Sequence, residues 1–481
     1  MPSTRTISTL PPPPRSLPSS ILIIGSGVFG LSTAWAFTRR PAFDAASITV
    51  VDRSPDAGVF PSRDAASVDT SRIIRGDYAD PAYAALAAEA LVEWRKQGPA
   101  DLGGAGRYTE SGLVLVADEA APGPLTKKTG MTYVRSSWAN VVALARDAPG
   151  PQPRVRELPT PAAIRDAVGT GGASGCWGYL NEGSGWADAD ASMRWLLARV
   201  QATGRVRFVH GTAAALHHAE GRVAGAVLDD GGRLSADLTI VSAGAWSGSL
   251  VDLSGRAVAT GQVLGYLRIT EEEQARLAAM PVLLNMSTGL FVIPPRGGEL
   301  KVARHAYGYL NPTTSLRPLG TTASTVDGPG PTVSVPLTAA TQADLTIPDE
   351  GSEALRAALR EMIPLPGLHD RPFSHTRLCW YTDTPTGDFL VDHHPSFEGL
   401  FVATGGSGHA FKFLPVLGDK IVDCVEGKCP PQFRDKWAWG PEDRQTPSWD
   451  AVVTEDGTRG GGESRLLLYD ELRKSRRTRE D

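Results

Sequence analysis

Ile21-Leu-Ile-Ile-Gly25-Ser-Gly27-Val28-Phe29-Gly30 leads through an Ala-rich stretch to Ile48-Thr-Val-Val-Asp52, and the reading of this unit decides the fold. Residues 21–24 are a short apolar run rich in β-branched side chains, the pattern of a buried strand. Gly25, Gly27 and Gly30 follow at the G-x-G-x-x-G spacing, residues 31–39 read as a helix, and residues 48–51 as a second strand ending in Asp52. Each part has a mechanical reason. Gly25 permits a tight turn from strand to helix. Gly27 lets a pyrophosphate approach the backbone, and Gly30 lets the helix lie close to the sheet. The helix start, at Val28 and Phe29, attracts phosphate charge. Asp52, 22 residues after Gly30, is placed to bind a ribose hydroxyl, with Arg53 beside it. The unit reads as dinucleotide-binding, but by itself it does not separate FAD from NAD.

Outward from this unit, nucleotide-type segments alternate with two insertions. The expected class is α/β, a Rossmann-type domain with an interleaved, mostly antiparallel α+β domain over the cofactor. The expected division is a disordered leader over 1–20, with four prolines in a row at 11–14. A discontinuous dinucleotide domain follows over 21–110, 180–260 and 371–430. The second domain takes 111–179 and 261–370, and a polar tail covers 431–481, wrapping the surface or fraying. Residues 106–118 read as one strand. Gly185-Trp-Ala-Asp188 reads as the start of a helix, with Asp188 or Asp190 at its first turn. Asp229-Asp-Gly-Gly232 reads as a hairpin turn.

Composition excludes several classes. The chain has 481 residues, enough for two or three domains with ample core. Its 41% apolar and 21% charged residues are those of a soluble globular protein. A net charge of −5 gives no reason to expect nucleic acid or an anionic membrane as partner. No apolar run has the length of a membrane span. Cys176, Cys379, Cys424 and Cys429 are scattered, with no C-x-x-C pair, so neither zinc nor a disulfide framework is indicated. That suits a reducing compartment. The last residues, Arg477-Thr-Arg-Glu-Asp481, are not a Ser-Lys-Leu peroxisomal address, and a cytoplasmic site is expected.

Five motifs then stand in order: Gly25 to Gly30, Ser71-Arg-Ile-Ile-Arg75, Lys301 with His305, Cys379-Trp-Tyr-Thr-Asp-Thr-Pro385, and Gly405-Gly-Ser-Gly-His-Ala-Phe-Lys412. With them the chain resembles the monomeric sarcosine oxidase and fructosyl-amino-acid oxidase family, FAD-dependent amine oxidases with a covalent flavin, from residue 21 to about 426. The resemblance implies FAD. It implies a thioether from Cys379 to the 8α-methyl of the flavin, where the bare residue would read as a core cysteine. It makes Lys301 the oxygen-activating lysine; a fixed ammonium in a water-poor site stabilises charge developing on O2. By the same resemblance Ser71, Arg72, Gly408 and Lys412 fall at the flavin, and Arg72 and His305 join Lys301 as catalytic residues. Arg72 and Arg75, three apart, read as sharing a face of a helical turn. Arg75 and Lys412 would clamp a substrate carboxylate. Tyr381, His305 and Phe291 would line the substrate pocket. His305 matches the sarcosine branch, whereas the fructosyl-amine branch tends to have an acid there. Phe291 stands where a pocket tyrosine of the sarcosine branch falls. His409 reads as structural.

The expected activity is oxidation of a secondary amine, an N-alkyl or cyclic amino acid, to an imine, with O2 giving H2O2. The partners are the amine and O2, and the chain is expected to act as a monomer. Beside this stand a fructosyl amino acid oxidase, a biosynthetic oxidase forming a reactive iminium from an N-methyl amine, a flavin dehydrogenase, and a non-catalytic FAD-binding module.

Overall fold

The computed structural model describes residues 17–54, 59–119, 128–147, 155–321, 330–440, 450, 452–461 and 465–480. The expected leader therefore lies almost wholly outside the described residues. Two sheets organise the rest. The nucleotide sheet has six strands, in the order Leu390–His393, Leu400–Thr404, Leu238–Val241, Ser20–Ile24, Ser47–Asp52 and Val206–His210. All neighbours are parallel except the first pair, which is antiparallel. Parallel strands covered on both faces need apolar side chains on both. Accordingly Ile21 and Ile23 pack into one core with Phe29, Leu31 and Phe37, while Leu22 and Ile24 pack into another with Val223 and Ala226.

The first of those cores belongs to helices, the second to a three-stranded antiparallel sheet of Ala213–Ala219, Arg222–Leu228 and Arg233–Ser235. The helix Val28–Phe37 is buried along almost its whole length and lies against the helix Leu414–Val425. The contact is close because Gly418 has no side chain: a Cβ there would sit 1.9 Å from the Ser32 carbonyl oxygen. The hairpin turn at 229–232 forms as expected, with Gly231 at φ +85°.

The large sheet has ten strands and is mostly antiparallel. Its centre is Val258–Arg268, flanked by Glu299–Arg304 on one side and by His375–Asp383, in an unbroken nine-residue register, on the other. Strand alternation then sorts the side chains. Val263, Leu300, Val302, Leu378 and Trp380 pack with Leu355 and Leu359 of the helix Asp349–Met362. Leu264, Tyr266, Lys301, Ala303, Cys379 and Tyr381 take the opposite face.

Four expectations are corrected. Residues 375–383, expected in the dinucleotide domain, belong to the large sheet, because Val258–Arg268 offers them a full ladder of backbone partners. The stretch 106–118 is two strands, Tyr108–Thr109 and Leu113–Ala117, broken by Gly112 at φ +85°. Gly185–Ala187 is a strand, paired with Arg72–Ile74 and Tyr108–Thr109, and the helix starts only at Ala189, capped by Asp188. The described residues of the tail are packed rather than frayed: Phe433 and Trp437 are fully buried, and Leu466–Leu467 adds a strand beside Tyr309–Leu310. Among the described residues no helix is long and apolar enough to cross a membrane.

Candidate active site

A cavity of about 480 Å³ runs from the glycine motif to the face of the large sheet that carries Leu264, Lys301, Ala303, Cys379 and Tyr381. Gly25, Gly27, Val28, Phe29, Asp52 and Arg53 line one end. Gly25 takes φ +106°, and a Cβ on it would meet the Ser242 carbonyl oxygen at 2.5 Å. A Cβ on Gly27 would meet only Ser67 Oγ, at 3.4 Å, so its backbone is open to a ligand. Gly30 does not reach the cavity; a Cβ there would lie 1.8 Å from the Gly25 carbonyl oxygen, which makes it a packing position. Asp52 Oδ2 accepts from the Ser26 backbone N–H at 2.8 Å and from Ser26 Oγ at 2.5 Å. Burial pushes its carboxyl up, and the Ser26 bonds oppose this. Arg53 pairs with Asp64 at 2.5 Å and lies 4.0 Å from the centre of the Trp246 ring.

In the middle of the cavity stands a buried charge cluster. Lys301 Nζ donates to Asp69 Oδ2 at 2.6 Å and to the Ser71 carbonyl at 2.7 Å. Arg72 also pairs with Asp69 and approaches Cys379 Sγ at 3.5 Å. Tyr266 donates its hydroxyl to Asp69 Oδ1 at 2.6 Å. Burial alone would raise the Asp69 carboxyl, but Lys301, Arg72 and Arg377 outweigh it and hold it well below the usual carboxylate range. Burial, with Arg72 nearby, pulls Lys301 down to about 8, against the opposing pull of Asp69. Ser71 Oγ is buried and has no hydrogen-bond partner. Arg72 and Arg75 do not share a helical face: Arg72–Ile74 is a strand, so Arg72 turns to Asp69 and Arg75 to Tyr78 and Tyr133.

At the far end Arg75 and Lys412 are buried, 6% and 5% exposed, and neither forms an ion pair with any described residue. Arg75 Nη1 and Nη2 lie 3.3 Å from Tyr133 Oη, and its guanidinium sits 4.7 Å from the Tyr78 ring centre. Lys412 Nζ donates to the His409 carbonyl at 2.7 Å. Burial, and then Arg75, lower its pKa well below that of a free lysine. Phe291, His305, Tyr381 and Gly408 complete this end. Gly408, at φ +71°, lets the chain pass the Tyr381 ring, which a Cβ would strike at 2.4 Å. His409 also lines this end; burial lowers its pKa well below the ordinary value, and with Nε2 donating to the Gly387 carbonyl at 2.8 Å, Nδ1 accepts from Tyr78 Oη at 2.9 Å.

A family model described as FAD dependent oxidoreductase matches residues 20–424. The chain belongs to this family. Among similar members is the amino acid oxidase imqH of Aspergillus flavus, 34% identical over 85% of this chain and 93% of that protein. The L-saccharopine oxidase of Schizosaccharomyces pombe is 28% identical over 88% of this chain and 94% of its own length. The crystal structure of the deglycating fructosamine oxidase from Aspergillus fumigatus (Amadoriase II) superposes with a TM-score of 0.73 at 28% identity, covering 94% of this chain and 96% of that one. The residues present fit the family's cofactor. The Gly27 backbone is open, Asp52 lines the same end, and the orphaned Ser71 Oγ awaits a partner.

Every expected site residue of this FAD dependent oxidoreductase except Gly30 lines the one cavity. Three functional neighbours were not foreseen: Asp69, Tyr266 and Arg459. Asp69 stands three residues before Arg72 in a polar loop, and an acid at that spacing from a motif arginine was the available signal. Tyr266 and Arg459 meet their partners across 197 and 154 residues and leave no local signal. Among the described residues no group of His, Cys, Asp or Glu converges as metal ligands.

Proposed function

We propose that the chain oxidises a secondary amine bearing a carboxylate, an N-alkyl or cyclic amino acid, to an imine, and reduces O2 to H2O2. The observation that carries this is the pair Arg75 and Lys412, two buried cationic side chains at one end of the cavity that form no ion pair with any described residue and have only the more distant Asp77 carboxylate to offset them. An uncompensated buried charge is costly, and a substrate carboxylate relieves it. Gly25, Gly27, Val28, Phe29, Asp52 and Arg53 would hold the dinucleotide, and Ser71, Arg72 and Gly408 its ring. FAD, when bound, supplies the oxidant for the C–H next to nitrogen and passes the electrons to O2. Cys379, on the cavity face of its strand and 3.5 Å from the Arg72 guanidinium, would carry the covalent link.

The chain's own residues then divide the work. Arg75 and Lys412 orient the carboxylate. Phe291 and Tyr381 supply apolar wall and exclude water. Lys301 presents an ammonium where O2 gains charge. Asp383 is engaged by Arg459 and Thr260, so the amine binds neutral and needs no side-chain base. The nucleotide sheet serves the dinucleotide, and the large sheet the flavin link, O2 and the substrate. The protein acts as a monomer, and its four free cysteines suit the cytoplasm.

The fit to Amadoriase II favours a second reading, a fructosyl amino acid. His305 ranks it second, because it supplies no acid where the fructosyl-amine branch tends to have one. Peroxide release from sarcosine, pipecolate, proline, saccharopine and fructosyl amino acids separates the readings. Turnover of the first four alone is expected. Turnover of fructosyl amino acids alone would reverse the order, and no peroxide from any would end both.

A further inference from the structure

The segment 452–461, in the stretch expected to be a peripheral tail, packs behind the wall of the substrate end, against His305 and the Thr384-Pro385 turn. Thr454 Oγ1 donates to the Thr384 carbonyl at 2.7 Å, and the Glu455 N–H to the Pro385 carbonyl at 3.1 Å. The Gly460 N–H donates to the His305 carbonyl at 3.3 Å. Gly460 has no room for a side chain, since a Cβ would lie 2.3 Å from the Gly289 nitrogen.

This strap delivers Arg459, whose side chain is 2% exposed. Its Nη2 donates to Asp383 Oδ1 at 2.6 Å and to the Ser407 carbonyl at 3.0 Å. Its Nη1 lies against His305 Nε2, with Nδ1 of the same ring at 3.4 Å. A guanidinium only donates. The nearer imidazole nitrogen must therefore present a lone pair, and the ring's proton sits on Nδ1. Asp383 lies two residues beyond Tyr381 on the strand that also carries Cys379, and Ser407 precedes Gly408. One side chain thus ties together the histidine, the covalent-link strand and the glycine turn. The other charged groups that bear on His305 are Arg75 and Lys412, and Arg304 precedes it; His409 also faces it, and the Tyr381 ring stands 5.6 Å away. None of these offers the ring a carboxylate that would hold it protonated.

We propose that Arg459 is the positioning residue of the substrate end: it holds His305 as the neutral Nδ1–H tautomer, so that His305 can donate to a substrate through Nδ1 but cannot act as a base through Nε2. Burial and the adjacent guanidinium, which lower the His305 pKa well below its ordinary value, agree with this. The inference rests on the proposed function only in placing His305 beside the substrate.

The test reads the tautomer without turnover, so it can fail while the oxidase reading stands, and the reverse. Holoenzyme carrying 15N-labelled histidine is compared with His305→Gln, which assigns the His305 signals. The wild type should show Nδ1 protonated and Nε2 unprotonated. An Nε2–H tautomer or an imidazolium at neutral pH would overturn the proposal. Arg459→Met combined with Asp383→Asn then removes the fork without leaving an unpaired buried carboxylate. Its His305 shifts should move to the averaged values of two exchanging tautomers, and unchanged shifts would overturn the role of Arg459. Where the double variant does not fold, the wild-type spectrum decides alone.

Discussion

Lys301 is held by opposing influences, and the balance sets its charge. Burial lowers its pKa to about 8, while Asp69 at 2.6 Å favours the ammonium. The sign for activity follows: the ammonium is present below about 8 and lost above it, more than two units before a free lysine would lose it. Stopped-flow reoxidation of the reduced enzyme by O2 should therefore slow as pH rises through this region. Lys301→Met should abolish that pH limb and slow reoxidation on the order of 10²-fold, with anaerobic reduction by substrate retained. Unchanged O2 reactivity would remove Lys301 from the mechanism. Asp69→Asn takes away the main neighbour that supports the ammonium. The reoxidation limb should move to lower pH, and calorimetry should show a loss of about 3–5 kcal/mol from breaking a buried pair. Sequence alone left Lys301 as an ordinary strand lysine; family motifs singled it out. For Asp69 the sequence offers only its spacing from Arg72, because its other partners Lys301 and Tyr266 stand 232 and 197 residues away.

At the scale of elements, the strand His375–Asp383 carries the most consequence. Its register against Val258–Arg268 fixes Cys379 and Tyr381 on the cavity face and Leu378 and Trp380 in the core. Cys379→Ala should leave this ladder intact and yield protein whose flavin is released by acid precipitation. Flavin still in the pellet would place the link elsewhere. Gly408→Ala tests the turn facing that strand: a left-handed backbone and a 2.4 Å clash with the Tyr381 ring should cost about 1–3 kcal/mol in thermal unfolding. The opening strand, glycine turn and helix were readable because each obeys a local rule of period or φ. The strand 375–383 was assigned to the wrong domain because its apolar run suits either sheet, and only the long-range ladder chooses. Gly185–Ala187 failed for the same reason, since its partners Arg72–Ile74 and Tyr108–Thr109 lie far off in the chain.

For the whole molecule, the α/β class with a Rossmann-type sheet was legible in the sequence, and the buried contacts of the described tail residues were not. The tail's Gly, Thr and Asp content looks solvated, yet Arg459 ends 2% exposed against Asp383. The overall charge is equally misleading: the chain carries −5, but its cavity ends in Arg75 and Lys412, with Arg459 paired to Asp383 behind that end. Lys412 adds a consequence of its own. Its pKa is depressed by burial and by Arg75, and an anion seated between the two cations would restore it. Occupancy of the site is then linked to protons in solution. A carboxylate ligand should bind with net uptake of protons, so that the heat of binding changes with the ionisation enthalpy of the buffer and affinity weakens as pH rises. Equal heats in phosphate and Tris would show that Lys412 keeps its charge throughout.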